Sequence, residues 1–306
     1  MKKNGNRDCK SAKQPQAALQ ETAAEKGHES NGGLLLNVQK QSRRLSILVE
    51  DEQSPTYLPT TRSLSTQQDL TMSTVNLSKT GNRLLDDLPL QEFRRVVALC
   101  KLTNLPAGKI VCEKGLYLSH VYFPLTACLS KVAEVSRHPP IGMVQIGSEG
   151  MLGATLILGV EVAPLRAIVQ CPGTALCMEV RDFHDALLGN SSLRVILGRY
   201  LYVMLEQLSQ AAACTRFHDV ETRLVRWLLL THDRSHADQF HLTHQILADM
   251  LGVQRSAVTI AAGILQQNGL ISYSRGEISI LNRAGLEAKC CECYETVQLD
   301  YERLIA

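Results

Sequence analysis

The spacing of hydrophobic positions divides the chain into stretches of different character. From Arg83 to Cys100, Leu84, Leu85, Leu88, Phe93, Val96, Val97 and Cys100 recur at helical intervals. Pro89 interrupts them and predicts two short helices rather than one. Residues 105 to 180 read differently, as short apolar runs between glycines and prolines. Examples are Lys109-Ile110-Val111-Cys112, His120-Val121-Tyr122-Phe123, Ile141-Gly142-Met143-Val144-Gln145-Ile146 and Ala167-Ile168-Val169-Gln170. β-Branched and aromatic residues at that spacing predict a compact β-sandwich or roll. A long helix from 191 to about 214 follows, with Ser191 or Ser192 as its cap, and would run ~36 Å. Its apolar positions include Leu193, Ile196, Leu197, Tyr200, Leu201, Met204, Leu205 and Leu208. That stripe is too wide for one small β-domain to cover. One flank is read as packing on the roll; the other, with Leu193, Ile196, Tyr200, Leu201, Met204 and Leu208, as a dimer seam. The alternative is a helix wholly inside its own chain's core.

Beyond it, Asp219 can cap a helix that turns Leu224, Val225, Leu228 and Leu229 inward. Thr243 caps a short helix whose buried face is Ile246, Leu247, Met250 and Leu251. Gly252 stands where the chain must turn, since glycine reaches positive φ without steric cost. A second helix starts near Gln254, buries Val258, Ala261, Ala262 and Leu265, and stops at Asn268-Gly269. Helix, glycine turn, helix is the helix-turn-helix pattern. Leu270 to Ser274, Arg275-Gly276 and Glu277 to Leu281 then read as a tight hairpin, which makes the unit a winged helix. The second helix would expose Gln254, Arg255, Ser256, Thr259 and Ile260 at its start. Arg255 can give two donors to guanine O6 and N7, Ser256 and Thr259 suit a base edge or phosphate, and Ile260 suits a thymine methyl. Arg275 at the hairpin tip would reach phosphate or minor groove, His244 would touch phosphate, and Thr243 is counted with them as a DNA-binding candidate.

Composition adds bounds more than chemistry. The 306 residues allow about two domains and carry a formal charge of +2. No whole-protein field announces nucleic acid or membrane. Residues 216 to 290 hold eight Lys+Arg against seven Asp+Glu, a thin electrostatic footprint for DNA. No apolar run reaches the ~18 residues of a membrane span, and Met1 to Lys10 lacks an apolar signal region, so a cytoplasmic chain with no membrane partner is expected. Residues 1 to 76 are rich in Ser, Thr, Gln, Asn and Lys. They predict disorder, with Leu34-Leu35-Leu36 and Leu45-Ser46-Ile47-Leu48-Val49 as the two apolar exceptions.

Of ten cysteines, only Cys290, Cys291 and Cys293 cluster in sequence. Zinc wants four ligands, and no second Cys/His pair lies nearby in sequence, so these three are read as capping a helix after the wing. No metal site is predicted. His232, His236, His241 and His244 fall in or beside a polar loop and are read as solvated. The chain shows no nucleophile elbow, P-loop, dinucleotide fingerprint or zinc-hydrolase motif, and the adjacent His184-Asp185 would point apart on a helix. No catalytic residue is predicted.

The order of elements resembles the Crp/Fnr superfamily of bacterial transcription regulators. In the reader, the likeness rests on Leu242-Thr243, Leu247-Ala248, Leu251-Gly252-Val253, Arg255, Val258-Thr259, Leu265, Gly269-Leu270-Ile271 and Arg275-Gly276-Glu277-Ile278. In the roll it rests on His120 to Pro124, Gly147 to Gly153 and Arg166-Ala167. The resemblance implies an α+β fold: a jelly-roll-like β-roll sensor over 77–188, a dimerisation helix over 189–217 and a winged helix-turn-helix over 218–306. It implies a non-enzymatic, sequence-specific DNA-binding regulator, a homodimer on a two-fold operator, answering an unidentified signal in the roll. RNA polymerase is a further implied partner. By the same resemblance the effector pocket would hold Glu149, Gly150, Arg166 and Ala167. Departures bear on the ligand. Cyclic-nucleotide-responsive members couple a Gly-Glu pair to a nearby Arg-Ser or Arg-Thr, whereas here Glu149 precedes its glycine and Arg166 precedes Ala167. No cofactor is therefore predicted, with a cyclic-nucleotide-responsive regulator as the alternative and an enzyme using the roll pocket as a third reading. Only Cys9 precedes Cys100, which does not support the N-terminal iron–sulfur cluster of the oxygen-sensing members.

Overall fold

In a computed structural model the described residues are 79–305. The expectations for residues 1 to 76 lie outside them. Pro89 separates α1 (Arg83–Asp86) from α2 (Leu90–Ala98), as its missing N–H and fixed φ require. Seven strands follow: β1 (Lys101–Leu105), β2 (Ile110–Cys112), β3 (His120–Pro124), β4 (Cys128–Ala133), β5 (Ile141–Ile146), β6 (Arg166–Cys171) and β7 (Gly173–Glu179). They form two antiparallel sheets, β1-β7-β3 and β2-β6-β4-β5. A 3-10 turn, Ala154–Leu158, lies between β5 and β6. Leu105, Leu129, Val144, Ile146, Ala167, Val169 and Ala175 fill the space between the sheets. The predicted roll is present.

α3 (Val180–Gly189) leads to the long helix α4 (Ser191–Phe217), which ends three residues beyond the expected Cys214. Neither predicted serine is its cap. Asn190 takes that place, with its amide turned back to the Ala186 carbonyl at 2.6 Å. The Glu92 carboxylate of α2 instead accepts from Ser192 N at 3.2 Å and from Ser192 Oγ at 3.0 Å. A negative side chain from another element thus satisfies an orphan donor of the first turn.

The seam assignment on α4 needs correcting. Leu193, Tyr200 and Met204 are buried within their own chain, in one cluster with Leu84, Phe93, Phe183, Val297 and Tyr301. Ile196 and Leu201 pack half-buried against that cluster, and Leu208 against the inter-sheet core. The reason is α9 (Glu292–Ile305), which returns to lie along α4 and covers the face the sequence pattern leaves open. What stays exposed is one position over: Val195, Tyr202 and Leu205 are 54%, 46% and 60% exposed. With Gly198, Ser209 and Ala212, also exposed, they recur at alternating intervals of three and four residues.

The reader elements are α5 (Val220–Ser235), β8 (Gln239–His241), α6 (His244–Leu251), α7 (Arg255–Gln267), β9 (Ile271–Ser274), β10 (Glu277–Ile280) and α8 (Arg283–Lys289). Packing has no break at residue 218. One core cluster joins Cys128, Val132 and Cys171 of the roll to Leu224, Trp227, Leu228, Leu247, Leu251 and Val258 of the reader. β4 is consequently buried on both faces, Leu129 toward the opposite sheet and Cys128 toward α5. Gly142 of β5 makes this approach possible, because a Cβ there would run into the Trp227 ring. No helix among the described residues is long and apolar enough to cross a membrane.

Candidate nucleic-acid interface

The reader is built from local signals that act as their chemistry dictates. The Asp219 carboxylate accepts from Thr222 N at 2.8 Å, and Thr243 Oγ1 accepts from Ile246 N at 3.2 Å, closing the first turns of α5 and α6. Gly252 ends α6 at φ 64°. The turn also brings that glycine against the roll, where a Cβ would lie 2.7 Å from Ile141 Cδ1. Leu247, Met250 and Leu251 face inward as predicted, joined by Ala248, but Ile246 does not. It is 38% exposed, because Thr243 caps at a phase that turns the third residue after it outward. α7 buries Val258, Ala261, Ala262 and Leu265.

The opposite face of α7 is open. Gln254, Arg255, Ser256, Thr259 and Ile260 are all exposed, Ile260 by 66%. At 100° per residue, positions 255, 256, 259 and 260 share one side of the first two turns. Arg255 makes no ion pair among the described residues. His244 sits beneath this face. It shares a hydrogen bond of 3.0 Å between Nδ1 and Thr259 Oγ1, and its ring stacks on Tyr273 at 4.0 Å between centroids. Burial, aided by the Arg255 guanidinium, holds the His244 imidazole below its usual range. A neutral ring therefore braces α6, α7 and the wing.

The wing is a two-residue hairpin, pairing Ser274 with Glu277 and Ile271 with Ile280. Arg275 and Gly276 both take positive φ, 51° and 86°, the geometry of a type I′ turn. Arginine occupies that region at a cost of about 1–2 kcal/mol. The strained conformation leaves Arg275 exposed at the tip, without an ion pair among the described residues. β8, which the sequence pattern does not announce, adds a third strand. Its three residues hold one apolar side chain, Phe240, too few to display a period of two.

The near-even charge count of the reader hides how its cations are used. Arg234 pairs with Glu149 at 2.7 Å, Arg283 with Asp233 at 2.7 Å and Glu287 at 2.9 Å, and Lys289 with Glu221 at 3.0 Å. Arg223 bonds to the Leu251 carbonyl. Of the remaining four, Arg226 is half-buried and Arg216 lies over the Phe217 ring, which leaves Arg255 and Arg275 as the exposed cations of the α7 face and the wing without an ion pair among the described residues. The other histidines have partners: His232 bonds to Asp238, His236 to Ser148, and His241, which stays solvent-exposed, to Glu277.

The four residues of the expected effector pocket do not converge. The Glu149 carboxylate accepts from Gly147 N and from Arg234 Nε of α5. Arg166 pairs instead with Glu113 and Glu134, both at 2.6 Å. Gly150 lies so close to the Tyr200 ring that no side chain fits, and Ala167 is buried between the sheets. The space beneath Met151 and Leu152, also lined by Cys112, Leu118 and Met204, holds about 10 Å³, room for a single water at most. A wider cleft of about 390 Å³ opens at Ser148, Glu149, Arg234 and His236, on the boundary of roll and reader. Two residues that the sequence reading did not single out matter here. Arg234, 4% exposed, is the partner Glu149 found. Lys131, 7% exposed, lines the small interior space without an ion pair among the described residues, and burial lowers the pKa of its ammonium group. Arginine and lysine within apolar patterns look like surface residues until the fold encloses them.

Residues 222–289 match the Crp-like helix-turn-helix domain. The chain carries a Crp-like helix-turn-helix on the Crp/Fnr fold. A protein described as a Crp/Fnr-family transcriptional regulator from Eubacterium rectale superposes with a TM-score of 0.52 at 15% identity, covering 67% of this chain and 96% of its own. The c-di-GMP-responsive global regulator CLP of Xanthomonas campestris gives 0.51 at 18% identity, over 63% and 99%. FixK2 of Bradyrhizobium japonicum gives 0.51 at 14%, over 63% and 98%. No curated protein is detectably similar in sequence. The Crp-like reader thus corresponds to α5 through α8.

Proposed function

We propose that this chain is a sequence-specific DNA-binding transcription regulator acting as a homodimer. The observation that carries the reading is the first two turns of α7, where Arg255, Ser256, Thr259 and Ile260 share an exposed face and Arg255 makes no ion pair among the described residues. In a major groove Arg255 donates to guanine, Ser256 and Thr259 meet base edges or phosphate, and Ile260 meets a thymine methyl. Gln254 and Thr243 flank that face, His244 braces it from beneath, and Arg275 contacts the backbone from the wing. The second copy pairs along Val195, Gly198, Tyr202, Leu205, Ser209 and Ala212, whose three-four spacing is that of a coiled-coil seam. Two readers related by that two-fold address half-sites one helical turn apart, about 34–36 Å.

A cyclic-nucleotide response is the poorer reading, because Glu149 and Arg166 are held by different partners. The signal acts by shifting the balance between arrangements of roll and reader, which it does only by preferring one of them. A selection from random duplexes with the full chain tests the proposal. Enrichment of an inverted repeat is expected. A monomer in solution, or equal retention of all duplexes across ionic strengths, overturns it. Leu205→Glu is expected to abolish dimerisation in sedimentation analysis and, with it, selection of paired half-sites.

A further inference from the structure

The cysteines that sequence pattern assigns to helix capping meet two further groups across the fold. Cys214 lies in the last turns of α4, His218 is that helix's C-cap, and Cys291 and Cys293 bracket the start of α9. One ligand atom from each lies within 4.8 Å of all the others. Cys214 Sγ is 3.9 Å from Cys291 Sγ, and Cys293 Sγ is 3.5 Å from His218 Nδ1. Zinc bonds of about 2.3 Å to sulfur and about 2.0–2.1 Å to nitrogen set tetrahedral ligand atoms roughly 3.5–3.8 Å apart. These two contacts are already close to such edges. A disulfide would bring its sulfurs to about 2.05 Å.

The surroundings suit a cation with thiolate ligands. Cys214, Cys291 and Cys293 are buried, at 2%, 8% and 1% exposure, and the imidazole is half-buried. The other nitrogen of His218, Nε2, faces Glu292 Oε1 at 3.5 Å. A carboxylate in that place fixes tautomer and ring orientation for a metal-bound histidine. Three thiolates and a divalent ion carry one net negative charge. Arg226, the cationic neighbour of Cys214 and Cys290, keeps its Nε buried without a hydrogen-bond partner among the described residues and offsets that charge.

We propose that Cys214, His218, Cys291 and Cys293 form a Cys3His site for a thiophilic divalent ion of the zinc class. Four protein ligands leave no open position, so the site is structural rather than catalytic. On binding, three S–H bonds break, the protons pass to solvent and no electrons move. The ligands come as Cys-x3-His and Cys-x-Cys from segments far apart in sequence, which hides the set from a linear reading. One ion would fasten the end of α4, the hinge into α5 and the junction of α8 with α9. Those are the segments that set how the reader leaves the long helix.

The test is a titration of the reduced, chelator-stripped full chain with Co2+, followed by Zn2+. About one Co2+ per chain is expected, with the intense visible bands and near-ultraviolet thiolate absorption of tetrahedral cobalt, bleached by Zn2+. Zn2+ is expected to raise the melting temperature of the wild type and a chelator to reverse the rise. Cys214→Ser and Cys293→Ser are each expected to lose the tetrahedral spectrum, whereas Cys290→Ser keeps it. The wild-type titration decides the matter even where a variant folds poorly. The proposal is overturned by a weak octahedral spectrum from the wild type, by loss of the spectrum in Cys290→Ser, or by a Cys214–Cys291 disulfide in protein isolated with thiol trapping. None of these readouts involves DNA, so the site stands or falls separately from the regulator reading.

Discussion

The start of α7 and the segment after β5 use charge in opposite ways. Arg255 is exposed with no ion pair among the described residues, beside exposed Ser256 and Thr259. Arg234 is buried against Glu149 at 2.7 Å, within a polar seam that also ties Ser148 to His236 at 2.7 Å and Gln145 to Thr231 at 3.2 Å. A charge that the fold leaves open is available to a partner. A charge that the fold closes holds two parts of the chain together and is lost to ligand binding unless the seam opens. The same contrast separates the open face of the Crp-like reader from the roll, whose Glu149 is already held by α5.

Breaking the closed pair has the largest expected effect. Arg234→Ala strands the Glu149 carboxylate in the seam and is expected to cost about 3–5 kcal/mol in urea unfolding. A loss below about 1 kcal/mol would show that the pair does not hold roll to reader. On the open side, Arg255→Ala is expected to leave stability unchanged and to cost ~1–3 kcal/mol in binding, with relaxed preference at one base pair of each half-site. Competition between operator variants checks this, and an unaltered preference removes Arg255 from base contact. Arg275→Ala is smaller still: binding weakens for all sequences alike and the salt slope becomes less negative by about one unit. Equal slopes for variant and wild type place the wing tip off the phosphates. For cyclic AMP the expected effect is none, on melting temperature or on operator affinity. A saturable increase in either would show that Glu149 and Arg166 can be brought to one ligand.

How much of this was legible in the sequence follows from the range of the interactions. The Asp219 and Thr243 caps, the turn at Gly252, the buried face of α7 and the Arg275-Gly276 hairpin act over a few residues and are written in local order. The pairing of Glu149 with Arg234 is not, because the partner is supplied by another element. The same holds for the Glu92 cap of α4, and for Cys214 meeting Cys291. On α4 the three-four alternation correctly signals a helix with two apolar flanks. Which flank faces outward depends on α9, and that helix comes from the far end of the chain. Periodicity fixes an element and its faces, while burial by a distant segment decides what each face is for.

The core cluster that runs from Cys128 and Val132 into Leu224 and Trp227 has a thermodynamic consequence. An excised fragment beginning at Val220 would present to water the apolar surface that meets the roll and lose that part of its hydrophobic stabilisation. Calorimetry of the whole chain should accordingly record roll and reader melting in one cooperative transition. The calorimetric and van't Hoff enthalpies of that transition should agree.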